Sequence, residues 1–204
     1  CLTAEHLDTP IDYDNLVSIG SMMGSGGMIV MDEDTCMVDI ARFFLDFTCE
    51  ESCGKCTPCR EGTKRLKEIL DKIVAGNGTI EDLDRLENLA GYIKDNALCN
   101  LGQTAPNPVI STLKFFRDEY MAHVVDKKCP TSVCKDLLQY TITDKCIGCG
   151  SCAKVCPQGC IEPLGKEINS KTKRRQYVID QNKCIKCGAC LEACPPKVKA
   201  IIRK

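Results

Sequence analysis

Apolar positions recur at helical spacing through the middle of the chain. Val38, Ala41, Phe44 and Leu45 share a face and predict a helix from Cys36 to about Phe47, capped by Asp34 or Thr35. Leu66, Ile69, Leu70 and Ile73 predict a second helix, ended by Gly76-Asn77-Gly78. Thr79 and Asp82 open a third in the manner of a capping box, with Leu83, Leu86, Ala90 and Ile93 as its stripe. A fourth is predicted from Asn107-Pro108 to about Val125, with Val109, Leu113, Phe116 and Tyr120 inward. Residues 1–20 lack a helical period, and Pro10 with the alternation Ile11, Asp12, Tyr13, Asp14 predicts extended structure. Gly24-Ser25-Gly26-Gly27 reads as a tight turn before a buried strand, Met28-Ile29-Val30-Met31. A glycine loop that precedes a strand is in the wrong order for a phosphate cradle, which must open a helix.

Beyond residue 140 cysteine spacing replaces hydrophobic periodicity as the main signal. Cys146, Cys149, Cys152 and Cys156 precede Pro157, and Cys184, Cys187, Cys190 and Cys194 precede Pro195. Each run is C-x2-C-x2-C-x3-C-P, the spacing of bacterial two-cluster ferredoxins, in which the fourth cysteine ligates the other cluster. That rule assigns Cys146, Cys149, Cys152 and Cys194 to one [4Fe–4S] cluster and Cys184, Cys187, Cys190 and Cys156 to a second. Gly148, Gly150 and Gly188 let backbone amides approach the sulfurs. A disulfide framework or two zinc sites would use the same residue type, but zinc sites usually pair two C-x2-C knuckles. Cys53, Cys56 and Cys59 form a third knuckle without a cysteine three residues on, so its fourth ligand must come from a distance. The predicted helical hairpin returns the chain there and presents Cys99.

Of eighteen cysteines, Cys1, Cys36, Cys49, Cys129, Cys134 and Cys160 remain. Cys129, Cys134 and His123 lie close in sequence, and Cys36 would complete a tetrahedral set whose soft donors favour zinc. Such an ion would hold a short linker as a hinge. The alternative is unliganded thiols beside a surface histidine. Cys160 is read as buried packing rather than a ligand, and His6 as surface.

The formal net charge of −1 argues against a general nucleic-acid binder. The basic run Lys171 to Arg175 reads as a solvated hairpin tip. No apolar stretch is long enough for a signal peptide or membrane span, so a reducing cytoplasm suits the thiols. The chain starts at Cys1 rather than Met and is read as a fragment. No nucleophile or acid–base pair is evident, so no catalytic residue is assigned.

The run ESCGKCTPCREG with a distant cysteine, preceded by GSGGMIVMDEDTCMVD, resembles the C-terminal part of the NADH-binding flavoprotein subunit of complex I. With the appended ferredoxin it resembles more narrowly the beta subunit of NAD(P)-dependent, electron-bifurcating [FeFe]-hydrogenases. The resemblance implies that Cys53, Cys56, Cys59 and Cys99 hold a third [4Fe–4S] cluster in exchange with FMN. It places the FMN and NAD(P) site upstream, and has the first twenty or so residues finish a β-grasp domain. Implied partners are the catalytic [FeFe] subunit, a thioredoxin-like [2Fe–2S] subunit and soluble ferredoxin. The expected fold is α+β: the end of a β-grasp domain and connector at 1–30, a helical cluster domain at 31–125, a zinc-bearing linker at 126–140 and a two-cluster ferredoxin at 141–204. Competing readings are the same segment in a formate dehydrogenase or another NADH-linked complex, a structural module with non-redox clusters, and an iron–sulfur sensor.

Overall fold

The computed structural model describes residues 1–169 and 174–203. The chain divides into two compact units, Cys1–Cys134 and Lys135–Lys204.

The first unit is helical. Its order is α1 (Tyr13–Ser18), α2 (Met37–Glu51), α3 (Thr57–Arg60), α4 (Gly62–Val74), α5 (Ile80–Asn96), α6 (Asn100–Thr104), α7 (Asn107–Phe115) and α8 (Arg117–Val124). The predicted stripes form its core: Val38, Ala41 and Leu45 from α2, Leu66, Leu70 and Ile73 from α4, Leu83, Leu86, Ala90 and Ile93 from α5, and Val109 from α7 are all fully buried. Each large aliphatic side chain contributes about 1.5–3 kcal/mol by leaving water. The capping box forms as expected, Thr79 Oγ1 accepting from Asp82 N and Asp82 Oδ2 from Thr79 N. Asp82 also takes Lys72 Nζ at 2.6 Å, which ties the end of α4 to the start of α5.

Four local expectations fail for identifiable reasons. Asp12 accepts from Asn15 N at 2.8 Å and starts a helix, Tyr13–Ser18, where extended chain was expected. Met28, Ile29 and Val30 are 73, 64 and 82 % exposed and form no strand, because a strand needs a paired neighbour for its amides and none is present among the described residues. Helix α2 has Cys36, not Asp34 or Thr35, at its N-cap position, and it continues past Phe47 to Glu51. The predicted helix 107–125 is broken at Phe116 (φ −128°, ψ 35°). The bend allows Thr112 Oγ1 and the Tyr120 hydroxyl to meet at 2.8 Å in the core. In an unbroken helix eight residues rise about 12 Å.

The second unit runs β1 (Tyr140–Ile142), α9 (Ser151–Val155), β2 (Ile161–Asn169), β3 (Arg174–Ile179), α10 (Ala189–Ala193) and β4 (Ile201–Arg203), a βαββαβ order. β1 pairs antiparallel with β4, Tyr140 facing Arg203 and Ile142 facing Ile201; β2 pairs with β3, Ile161 facing Ile179. The tip between β2 and β3, where most of the Lys171 to Arg175 run falls, lies outside the described residues. Its buried core is small: Tyr140, Ile161, Ile179 and Ile201 with the thiols of Cys152, Cys160 and Cys190.

Candidate metal centres

Two cavities in the second unit sort the cysteines. One is lined by Cys146, Cys149, Cys152 and Cys194, with Ile142, Tyr177 and Val198 among the wall. The other is lined by Cys184, Cys187, Cys190 and Cys156, with Tyr140, Ile179 and Cys160. Each therefore takes three thiols from one run and one from the other. The local geometry repeats. Gly148 N donates to Cys146 Sγ and Lys186 N to Cys184 Sγ, both at 3.4 Å, and Ala200 N donates to Cys194 Sγ at 3.3 Å. Amides directed at sulfur stabilise thiolate charge. Gly150, at φ 74°, caps α9, where a Cβ would stand 2.8 Å from the Tyr177 hydroxyl. Its counterpart Gly188 sits likewise below Tyr140. Burial pushes the Cys190 thiol up to about 11 and raises that of Cys152, so a positive core is needed to hold both as thiolates.

In the first unit the knuckle Cys53–Cys59 leads into α3, and Cys99 is the N-cap of α6. α6 packs close because Gly102 carries no side chain: a Cβ there would come within 2.6 Å of Ala97 Cβ and 3.1 Å of Cys59 Cβ. The amides of Leu98 and Cys59 hold the Cys56 thiol below its ordinary range, which places Cys56 beside the segment that carries Cys99. Cys53 and Cys99 are exposed, Cys56 half-buried and Cys59 buried. Ser52 Oγ lies 3.3 Å from Cys59 Sγ.

A fourth cluster of ligands lies within the same unit. Cys36 Sγ, His123 Nε2, Cys129 Sγ and Cys134 Sγ are all buried and lie within 4.8 Å of one another. Cys36 and Cys134 are 3.7 Å apart, and His123 Nε2 is 3.4 Å from each. A tetrahedral zinc with Zn–S near 2.3 Å and Zn–N near 2.0 Å requires S···S of about 3.8 Å and S···N of about 3.5 Å, so the set fits that ion. Glu119 builds its surroundings. Its carbonyl lies 2.7 Å from His123 Nδ1, which directs Nε2 at the thiols, and its carboxylate accepts from Met37 N at 3.0 Å. Cys36 makes no capping hydrogen bond, because its sulfur faces the other ligands, and Glu119 caps α2 in its place. Burial disfavours charge on His123, but hydrogen bonds with Cys129 and Cys36 outweigh it and raise its pKa to about 10. Within the thiol group Cys129 is held low and Cys134 is pushed up, each chiefly by their mutual hydrogen bond.

Residues 39–123 match the NADH-ubiquinone oxidoreductase-F iron–sulfur binding region, and residues 145–198 match a 4Fe–4S dicluster domain. The chain carries an iron–sulfur region of the NADH-binding subunits, followed by a dicluster ferredoxin domain. The NADP-reducing hydrogenase subunit HndC of Solidesulfovibrio fructosivorans is 60 % identical over 167 residues, 81 % of this chain and 34 % of the relative. An NADH-quinone oxidoreductase subunit of Mycobacterium tuberculosis (strain ATCC 25618 / H37Rv) is 46 % identical over 129 residues, 63 % of this chain and 29 % of the relative. The chain thus spans about a third of the length of these relatives. Among solved structures, the air-oxidized NAD+-reducing [NiFe]-hydrogenase is 37 % identical with a TM-score of 0.45, covering 47 % of this chain and 17 % of that one.

Within the dicluster domain, Lys186 escaped the sequence reading. It adopts φ 57° where the first run has Gly148, so a lysine accepts the left-handed backbone needed to aim its amide at Cys184. Cys160 is buried with its sulfur 3.3 Å from Cys156 Sγ. Within the iron–sulfur region, Cys49 is half-buried beside Thr63. Glu119, on a helix with little amphipathic pattern, carried no signal of its role beside His123.

Proposed function

We propose that the chain is a one-electron relay with three [4Fe–4S] clusters, held by Cys53, Cys56, Cys59 and Cys99; by Cys146, Cys149, Cys152 and Cys194; and by Cys184, Cys187, Cys190 and Cys156. The supporting observation is the crossed lining of the two cavities, three thiols of one run with one of the other. Bound there, such clusters supply one-electron couples without transfer of atoms. The chain supplies the thiolates, the amides of Gly148, Lys186 and Ala200 that stabilise them, and the tyrosines that close each cavity. The relay belongs to the beta subunit of an NAD(P)-linked, electron-bifurcating hydrogenase. It connects an upstream FMN and NAD(P) site with the catalytic [FeFe] subunit, the [2Fe–2S] subunit and soluble ferredoxin, in the cytoplasm. The 60 % identity to the NADP-reducing hydrogenase subunit supports this setting. A zinc ion at Cys36, His123, Cys129 and Cys134 fastens the segment after α8 onto α2 and α8.

The test is iron, sulfide and zinc content of the anaerobically purified chain with a potentiometric EPR titration. About twelve irons, one zinc and low-potential reducible signals are expected. About eight irons would remove the Cys53, Cys56, Cys59 and Cys99 set, and clusters that cannot be reduced would make the module structural. A second setting, an NADH-quinone oxidoreductase, has support from the 46 % identity over 129 residues. Hydrogen-dependent reduction of NADP by the intact complex separates the two.

A further inference from the structure

A net charge close to zero conceals a strong division. Residues 135–204 contain fourteen lysines and arginines against six aspartates and glutamates, a formal +8; residues 1–134 contain thirteen against twenty-two, a formal −9. A segment this basic attracts acidic surfaces over distances set by ionic strength.

The lysines beside the two cavities differ. At the Cys184–Cys187 loop, Lys183 lies 3.5 Å from Asp180 and 4.0 Å from Glu162, and Lys186 Nζ donates to the Asp136 carbonyl. At the other cavity Lys145 immediately precedes Cys146, and Lys197 and Lys199 flank Val198, which lines the wall. All three are exposed, and among the described residues none has an ion-pair partner. Lys199 is held by its backbone: at φ 41° its amide donates to the Pro195 carbonyl at 3.0 Å, and the next amide, Ala200, donates to Cys194 Sγ. A left-handed lysine costs about 1–2 kcal/mol relative to glycine, and here it lies one residue from an amide that contacts a ligand sulfur. Ile147, 42 % exposed, and the exposed residue Cys149 line the same cavity as Val198.

We propose that this rim, Lys145, Lys197 and Lys199 around Ile147 and Cys149, is the docking surface for an acidic one-electron carrier protein. It rests on the cluster reading of Cys146, Cys149, Cys152 and Cys194 above. An oxidised cubane with four thiolates carries about two negative charges, so it repels an acidic carrier unless nearby cations reverse the local field. The three lysines supply that reversal. The exposed isoleucine gives the small apolar contact of a transient interface. A nucleic acid or an anionic membrane would use the lysines but gain nothing from the cysteine-lined cavity beside them. In the step itself one electron passes from the carrier, which is oxidised, to the cluster, which is reduced by one; no bond or proton is exchanged, and the reverse transfer uses the same contact.

The test uses the full 204-residue chain with clusters reconstituted, and a reduced acidic two-cluster ferredoxin as the probe, mixed in stopped flow. Raising salt from about 20 to about 300 mM should lower the second-order rate constant about tenfold or more. The charge-reversed variant K145E/K197E/K199E should lose about tenfold at low salt, converge with the parent at high salt, and keep its iron content and EPR spectra. K135E/K183E/R203E, equal in charge change but leaving Lys145, Lys197 and Lys199 in place, should change by less than about threefold. A triple variant with parental low-salt rate, or a control with an equal loss, overturns the proposal. If K145E/K197E/K199E loses iron, K145Q/K197Q/K199Q is measured under the same criteria. Lysine-dependent binding to phosphatidylserine vesicles, with ferredoxin transfer insensitive to salt, assigns the rim to a lipid surface and also overturns it. Absence of iron in the parent chain instead refutes the cluster reading.

Discussion

At Glu119 one residue serves two of the four candidate zinc ligands: its carbonyl orients His123, and its carboxylate caps the helix that begins after Cys36. Truncation to alanine removes the cap while leaving the carbonyl, so Glu119→Ala should weaken zinc retention by about tenfold against a chelator, with Glu119→Gln closer to parent. Zinc analysis after dialysis reads the difference. Proton competition sets the pH dependence. In the metal-free chain His123, with its pKa near 10, and Cys134, pushed up, both hold protons at neutral pH, whereas Cys129 is held as thiolate. Zinc must displace at least these protons, so its affinity should fall steeply on acidification and rise toward alkaline pH. Calorimetry in buffers of different ionisation enthalpy counts the protons released; none released would exclude ligation by His123 and Cys134.

Among the elements, the α4–α5 hairpin matters most, because α3, which carries Cys59, leads into α4 and α5 leads to Cys99. Asp82 holds it, accepting from Lys72 Nζ, Thr79 N and Thr79 Oγ1 while only 3 % exposed. Burial opposes its charge, but the Lys72 and Thr79 contacts prevail and keep its pKa below the ordinary carboxylate value. A depressed folded pKa contributes stability that is complete above the unfolded value near 4 and is lost as pH falls through the folded one. Asp82→Asn should therefore cost about 1–3 kcal/mol near neutral pH and less under acid conditions, read as a shift in thermal midpoint. An equal shift at acid and neutral pH would assign the effect to packing instead.

For the whole molecule, the two units differ in what stabilises them. Residues 1–134 bury long helical stripes, while the core described in residues 135–204 is small, Tyr140, Ile161, Ile179 and Ile201 with Cys152, Cys160 and Cys190 beside the cavities. Anaerobic removal of iron should therefore unfold the Lys135–Lys204 unit and leave most of the helical signal of the Cys1–Cys134 unit intact. Hydrogen exchange followed by residue separates the two responses; retained protection in β1 to β4 after iron removal would show that the strands do not depend on metal.

The two four-cysteine runs and the helical stripes are legible in the chain because they are local: ligand spacing and the 3.6-residue period are properties of a few consecutive residues. The capping box at Thr79 and Asp82 is legible for the same reason. What residues 1–31 do is not, since Asp12 could cap a helix or lie in a strand, and Met28 to Val30 form a strand only beside a partner. The break at Phe116 depends on the Thr112–Tyr120 contact, which no periodicity announces. Cys129, Cys134 and His123 are neighbours in sequence, but that Cys36 stands 3.7 Å from Cys134 follows only from the packing of α2 against α8. Donor type is a property of residues, whereas the convergence of donors 87 and 98 positions apart is a property of the folded core.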